Sequence, residues 1–188
     1  MIFRIYTMEV SLKSRGINGE VNRFTYIKEG VPMLKIHIPG RNLVEIENIV
    51  FDYNGTLAVD GNMSMSTKEM LKKINQFLNV YIVTADTYGT VKEACKDMDI
   101  MVKTFPRENA GTCKKEIIEE LGGEKTICVG NGYNDILMSQ ESIISIGVIG
   151  TEGVSGKLLL VCDIVVNHIE DVFGMLLKPD RIKATLRN

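Results

Sequence analysis

The chain has 188 residues, a formal net charge of −2 and 45% hydrophobic residues. This length fits one domain with a small appendage. No basic block favours nucleic acid or a membrane surface as a partner, and no apolar segment is long enough to cross a bilayer. The four cysteines form no CxxC pair, which is typical of reduced thiols in a cytoplasmic protein.

Residues 1–32 carry the weakest pattern in the chain. Their alternation is not cleanly apolar, and residues 15–19 and 29–32 have the composition of turns. We expect either a β-extension, used for oligomerisation or as a partial lid, or a stretch upstream of a natural start at Met33. We favour the second alternative and expect one domain over residues 33–188.

From Met33 onwards strand and helix patterns alternate, which predicts an α/β fold with a doubly wound parallel sheet and helices on both faces. A hairpin is expected from residues 34–38 and 43–46, before a strand that ends at Asp52. The later strands are expected at 80–84, 100–105, 126–129, 143–149 and 164–166. The first helix is expected from the capping box Ser66-Thr67-Lys68-Glu69 to Leu78. Further helices are expected at 90–98, 108–121, 133–140, 154–161 and 169–177, and the helix over 169–177 is expected to be the last.

The central stretch runs from Ile49 to Leu57. It begins as an apolar run typical of a buried parallel strand and ends in the polar turn Asp-x-Asn-Gly-Thr. Asp52 therefore follows the carboxyl end of the strand, where open α/β sheets bind ligands. Backbone N–H groups, a hydroxyl and Gly55 follow it and can cradle an anion. We interpret Asp52 as a nucleophile that accepts a phosphoryl group; the alternative is a carboxylate that caps a helix.

Three further polar positions fall at strand ends or helix starts. Thr84 ends the next strand and either binds a phosphate oxygen or caps the following turn. Lys114 is centred on the apolar face of its helix whereas Lys115 points sideways, so Lys114 either has an anionic partner or extends to solvent. Asp135 lies in the first turn of the next helix, where it either serves a metal or Lys114, or belongs to a simple helix cap.

The order and spacing of these positions resemble the four motifs of the haloacid dehalogenase (HAD) superfamily over residues 45–177. Gly-Asn-Gly-Tyr-Asn-Asp-Ile-Leu-Met, residues 130–138, resembles the GDGxNDxxxL pattern of P-type ATPases. The chain looks like the soluble, stand-alone P-type-ATPase-like HAD proteins. This resemblance implies a HAD-type Rossmannoid fold and an Mg²⁺-dependent phosphohydrolase or phosphotransferase.

The resemblance also implies a role for each matching residue. Asp52 is the expected nucleophile, which forms an aspartyl-phosphate and contacts Mg²⁺, and Asn54 gives its backbone carbonyl to the metal. Thr84 and Lys114 are expected to hold the phosphoryl oxygens. The remaining implied contacts are Asn131 and Asp135 for the metal, and Gly55, Ala85 and Asn134 for the phosphate.

Two residues depart from the family pattern. Superfamily phosphatases carry an aspartate two residues after the nucleophile as general acid and base, and Asn54 cannot donate a carboxylic proton. The first residue of the fourth motif is normally a carboxylate ligand of Mg²⁺. Asn131 keeps an oxygen there but lacks the charge, so the Mg²⁺ affinity should fall. These departures leave open a second reading, a catalytically weak binding or regulatory protein.

Neither usual insertion point has room for a cap domain. Residues 57–79 hold a flap and one helix, and residues 94–114 are also short. We therefore expect a capless, open site, which implies either a macromolecular phosphorylated substrate or closure by another copy of the chain. A third reading is a structural one, an oligomeric module built on residues 1–46.

Overall fold

The computed structural model describes residues 33–86 and 90–188, so the expectations for residues 1–32 lie outside the described residues. An antiparallel hairpin of β1 (Leu34–His37) and β2 (Leu43–Ile46) precedes β3 (Asn48–Asp52). The other strands are β4 (Asn79–Thr84), β5 (Met101–Thr104), β6 (Thr126–Gly130), β7 (Ile144–Val148) and β8 (Ile164–Val166). The α-helices are α1 (Met65–Ile74), α2 (Thr90–Cys95), α3 (Ala110–Leu121), α4 (Ile136–Glu141), α5 (Ile169–Leu177) and α6 (Asp180–Leu186).

Strands β3 to β8 form a six-stranded sheet in the order β5-β4-β3-β6-β7-β8, and every pairing is parallel. All five residues of β3 are buried, because helices cover both faces of the sheet. The predicted doubly wound sheet and the N-terminal hairpin are confirmed. The chain leaves β3 towards β4 and β5 and later returns to β6 on its other side. The carboxyl end of β3 is therefore the topological switch point, where such sheets bind ligands.

Successive residues of β3 point to opposite faces and enter different cores. Phe51 packs with α1, α5 and the hairpin in one hydrophobic cluster, and its ring centroid lies 6.0 Å from that of Phe173. Val50 packs in the second cluster with Ile118 of α3 and Met138 of α4. The two cores fix β3 from both sides, so that the position of Asp52 at its end is well defined. Among the described residues, no helix is both long and apolar enough to cross a bilayer.

The start of α1 differs from the prediction. Ser64, and not Ser66, is the N-cap: its Oγ accepts a hydrogen bond of 3.0 Å from the backbone N–H of Thr67. Ser66 lies inside the first turn of the helix. The Ser-x-x-Glu motif of residues 66–69 therefore lies inside the helix, while the observed cap has Thr67 at its third position and no acidic residue in its first turn.

The predicted helix over residues 154–161 is also wrong, since only a 3-10 turn, Leu158–Leu160, forms there. The backbone N–H of Ser155 donates to the carbonyl of Asn131 at 2.8 Å, a bond outside the segment. Gly156 further lowers its helix propensity. By contrast, α6 lies beyond the last predicted helix and buries Ile182 and Leu186, four residues apart on one face.

Candidate active site

The turn after β3 is closed by its own backbone. The N–H groups of Leu57 and Ala58 both donate to the carbonyl of Tyr53 at 2.9 Å, and Gly55 donates to the carbonyl of Ala58 at 2.8 Å. Gly55 has a φ of 78°, and a Cβ at this position would lie 2.3 Å from Asn131 Nδ2. Glycine is therefore required both by the backbone conformation and by the close approach of the turn after β6.

Lys114 joins the two buried carboxylates of the site. Its Nζ lies 2.6 Å from Asp52 Oδ1 and 2.5 Å from Asp135 Oδ1. The Lys114 side chain is 1% exposed, whereas that of Lys115 is 39% exposed and pairs with Glu119 at 2.9 Å. The predicted burial of Lys114 and its predicted contact with Asp135 are therefore present in the structure.

Asp135 also organises the turn after β6. Its Oδ2 accepts hydrogen bonds from the backbone N–H groups of Asn131 at 3.0 Å and Gly132 at 2.8 Å. A Cβ at Gly130 would lie 2.4 Å from the same oxygen, so the strand end must be glycine for the carboxylate to fit. Asp135 therefore holds Lys114 with one oxygen and the turn with the other.

The three charged side chains shift each other's protonation. Burial and the neighbouring carboxylate of Asp135 raise the pKa of Asp52 to about 7, against the opposing effect of Lys114. Burial alone would lower the pKa of Lys114, but Asp52 and Asp135 outweigh it and raise that pKa. Lys114 is therefore an ammonium at neutral pH, whereas Asp52 changes its charge near neutrality.

Thr84 ends β4 beside this cluster and is 2% exposed. Its Oγ1 accepts a hydrogen bond from the backbone N–H of Asp86 at 3.2 Å, so the predicted alternative of a hydroxyl that caps the next turn is observed. The hydroxyl proton is not used in this bond and can be donated to an anion. Capping and phosphate binding are therefore compatible at this residue.

A polar pocket of about 410 Å³ opens in front of β3 and β4. The backbone turns after these two strands contribute Tyr53, Asn54 and Ala85, and the opposite wall contributes Arg107 and Asn134. Asn54 and Asn134 are exposed to it. Three predicted positions thus share one pocket. Arg107 was not predicted, because an isolated arginine in a loop carries no periodic or motif signal.

A short flap covers one side of the pocket in place of a cap domain. The hydroxyl of Tyr53 donates to the carbonyl of Gly61 at 3.1 Å. The backbone N–H of Asp60 donates to Glu152 Oε1 at 2.8 Å. Both contacts hold the tip of the flap, residues 59–62, near the turn after β3.

Asn131 uses both ends of its amide within the site. Its Oδ1 accepts a hydrogen bond from the hydroxyl of Thr56 at 3.2 Å, and its Nδ2 donates to the carbonyl of Gly153 at 3.0 Å. Residues 33–86 and 90–188 contain no group of three or more His, Cys, Asp or Glu side chains that could hold a metal. The predicted donors are the Asp52 carboxylate, the Asn54 carbonyl, the Asn131 amide oxygen and the Asp135 carboxylate. Both Asp135 oxygens are already engaged, one by Lys114 and the other by the turn after β6, so a direct metal contact of Asp135 stays a prediction. The other three donors form an all-oxygen set that fits a hard cation such as Mg²⁺, with weak affinity because only one of them is charged.

The two bonds of Asn131 give the Asn131→Asp variant two opposite effects. A carboxylate adds a charged metal ligand, but it cannot donate to the carbonyl of Gly153. Losing this bond costs about 1 kcal/mol, which corresponds to a fall in Tm of about 2–4 °C for a domain of this size. We expect a lower Tm in EDTA and a larger rise in Tm with Mg²⁺ than in the parent. Thermal unfolding across an Mg²⁺ titration measures both.

Asn134→Asp is the matched control, because it adds the same charge to the exposed neighbour in the same turn. If Mg²⁺ raised the Tm of both variants by the same amount as the Tm of the parent, this result would contradict a metal contact at Asn131.

No family model matches the chain. It is 43% identical to the uncharacterised protein MJ0073 of Methanocaldococcus jannaschii over 89 residues, which cover 44% of this chain and 96% of that protein. It is 25% identical to a soluble P-type ATPase-like phosphatase of the same organism over 126 residues, or 65% of this chain. The chain matches about half, 46%, of the length of that second relative.

Solved structures share the fold at low sequence identity. One of them is the 3-deoxy-D-manno-octulosonate 8-phosphate phosphatase of Moraxella catarrhalis, crystallised with magnesium, phosphate and KDO. It superposes with a TM-score of 0.60 at 18% identity, over 76% of this chain and 94% of its own. The cobalt-bound phosphatase YrbI of Haemophilus influenzae gives 0.57 at 13% identity over the same shares.

A HAD superfamily hydrolase of Legionella pneumophila gives a TM-score of 0.58 at 13% identity over 75% of this chain and 87% of its own. These neighbours have the HAD fold that the motifs resemble, and the predicted resemblance is confirmed. This chain belongs to the same family as protein MJ0073, with which it is 43% identical over 96% of that protein, and it has the HAD fold.

Proposed function

We propose that this chain is a phosphohydrolase that acts through an aspartyl-phosphate on Asp52. One observation carries the proposal: a buried carboxylate at the switch point of the sheet is held by Lys114 beside a polar pocket. The matched relative and the structural neighbours that are phosphatases support the same reaction class.

The proposed reaction has two balanced steps. An ionised oxygen of Asp52 attacks the phosphorus, the bond from phosphorus to the leaving oxygen breaks, and that oxygen takes a proton from solvent. A water molecule then attacks the phosphorus, the bond to Asp52 breaks, and inorganic phosphate leaves as the water's proton passes to solvent. Lys114 and Thr84 would hold phosphoryl oxygens in both steps. Mg²⁺ bound by Asp52, Asn54 and Asn131 would supply positive charge to those oxygens.

Among the described residues of the pocket wall, no side chain is well placed to protonate the leaving group. Asn54 lacks an acidic proton. Asp86 lines the pocket, but its Oδ2 accepts hydrogen bonds from the Thr90 hydroxyl and from the Val91 N–H, at the start of α2. Aryl and acyl phosphates, whose leaving groups need little protonation, should therefore be the better substrates.

Asn54→Asp should restore the missing acid. A positioned general acid contributes about 10²–10⁴ in rate, so kcat on an alkyl phosphate should rise by about 10²-fold or more. The gain on an aryl phosphate should be smaller, because its leaving group needs little protonation. Steady-state kinetics on glycerol phosphate and phenyl phosphate with Mg²⁺ measure the difference.

Asn54→Gln serves as control, since it changes the same side chain without adding an acidic proton. A parent that already hydrolyses the alkyl ester as fast as the aryl ester would show that another group acts as the acid. Asp86→Asn would then be the variant to make first.

The proposal as a whole is tested with a panel of phosphoesters in the presence and absence of Mg²⁺. Turnover together with trapping of phosphate on Asp52 is the expected result. A parent that binds beryllium fluoride but hydrolyses no ester, with no gain from Asn54→Asp, would contradict it and favour a binding protein.

A further inference from the structure

We infer that Arg107 binds a second anionic group of the substrate, at the end remote from the reacting phosphoryl group. The inference rests on the proposed function and narrows it. The substrate would be a small phosphate monoester that also carries a carboxylate or a second phosphate.

The backbone at Arg107 is anchored to the site. Arg107 begins a 3-10 turn, Arg107–Asn109, directly after β5 and Pro106. The backbone N–H of Phe105, a buried residue, donates to the carbonyl of Thr84 at 3.3 Å. Ala110, the first residue of α3, lines the same pocket as Arg107. The loop thus connects the strand end at Thr84 with the helix that carries Lys114, and it places the arginine at the pocket mouth.

The charges around the pocket single out Arg107. Among the described residues that line it, two carry a carboxylate or a cationic group, Asp86 and Arg107. The Asp86 carboxylate faces the first turn of α2, where it accepts two hydrogen bonds. Within the described part of the chain, Arg107 makes no ion pair, and its side chain makes no hydrogen bond. A guanidinium group here is available to an incoming anion.

The reacting phosphoryl group is not the expected partner of this guanidinium. The groups proposed to hold that phosphoryl, Asp52, Thr84 and Lys114, are 8%, 2% and 1% exposed and do not line the pocket. Arg107 is exposed at its rim. The volume of about 410 Å³ lies within the range of small-ligand pockets, about 300–1,000 Å³. It therefore has room for the rest of a small molecule.

Arginine suits this task because its planar guanidinium forms paired hydrogen bonds with a carboxylate or a phosphate. A carboxylate and a phosphate can both accept these paired hydrogen bonds, so the test includes one ligand with each group. A neutral alcohol or amine at the same end of the substrate would leave the guanidinium without a partner.

The test measures binding to the Asp52→Asn variant, so that it needs no turnover. The ligands are phenyl phosphate, 4-carboxyphenyl phosphate and 1,4-phenylene bisphosphate, each by isothermal titration calorimetry with Mg²⁺. We expect one or both doubly anionic ligands to bind about tenfold or more tightly than phenyl phosphate, as for a hydrogen bond to a charged group. Adding Arg107→Ala should remove this advantage, and Arg107→Lys should keep part of it.

Arg41→Ala in the same background is the matched control. Arg41 is a partly exposed arginine in the β1–β2 turn, and it lines a different pocket. It should leave the preference unchanged. The carboxylate and bisphosphate arms show which anion the site prefers.

Equal binding of the three ligands, or an advantage that survives Arg107→Ala, would overturn the inference even in a parent that hydrolyses phenyl phosphate. A phosphopeptide that binds more tightly than all three small ligands would overturn it as well. By contrast, an Arg107-dependent preference in a parent that turns over none of these esters would contradict the proposed hydrolysis alone.

Discussion

Asp52→Asn should lower the turnover of every phosphate ester by roughly 10³-fold or more. An amide oxygen is too weak a nucleophile to attack phosphorus, and no neighbouring carboxylate can replace Asp52. Both oxygens of Asp135 are already engaged, one by Lys114 and the other by two backbone N–H groups. Phosphate release by the variant, together with mass spectrometry of trapped protein, measures the loss.

The free energy of unfolding of Asp52→Asn should be at least as large as that of the parent. The pKa of Asp52 is raised from 3.8 to about 7 by burial and by Asp135. Between these pH values the unfolded chain binds fewer protons at this site than the folded protein, so the contribution of Asp52 to stability falls as pH rises. Asparagine does not titrate.

The Tm of the variant minus the Tm of the parent should therefore increase from pH 4 to pH 7 in EDTA. Above pH 7 this difference should stay constant. Activity that survives in a clean preparation of the folded variant would contradict the nucleophile assignment. A loss of folding would show that Asp52 is needed for structure instead.

The sheet could be predicted because each of its strands is a short apolar run that ends in polar or glycine residues. Local pattern was sufficient for β3, and the alternation of strands and helices indicated a parallel sheet, but the placement of β4 and β6 on either side of β3 comes from the structure. Local pattern failed for residues 154–161, where apolar residues have helical spacing. There the bond from Ser155 to the carbonyl of Asn131 decides the conformation, and this partner lies far away in sequence.

The cluster of Asp52, Lys114 and Asp135 could also be predicted from local pattern. Asp52 follows one strand, Asp135 follows its neighbour, and the helical phase of α3 turns Lys114 towards both. The bonds of Asn131 with Thr56 and Gly153 join three loops, and the position of Arg107 depends on the path of the β5–α3 loop. No residue spacing encodes these contacts, so only the folded structure reveals them.

Lys114→Ala should lower activity far more than Lys115→Ala. Removing a positioned donor to the transition state costs about 10²–10³ in kcat, whereas the exposed Lys115 pairs only with surface carboxylates. Steady-state kinetics of both variants on phenyl phosphate compare them. Equal losses, or the reverse order, would contradict the assignment of the buried lysine.

A simple loss of activity in Lys114→Ala could also come from unfolding. Without the ammonium, the buried carboxylates of Asp52 and Asp135 lose their shared cation, and removing one partner of a buried ion pair costs about 3–5 kcal/mol. Asp135→Asn removes one of these charges while its side-chain oxygen can still accept from the turn. The double variant Lys114→Ala/Asp135→Asn should therefore recover much of the Tm that Lys114→Ala loses.

Activity should not recover with the Tm, because the phosphoryl group still lacks its cation. Asp135→Asn alone, which keeps Lys114 beside Asp52, is the control and should retain more activity than the double variant. If activity returned together with the Tm in the double variant, Lys114 would be a structural partner of the two carboxylates and not a ligand of the phosphoryl group.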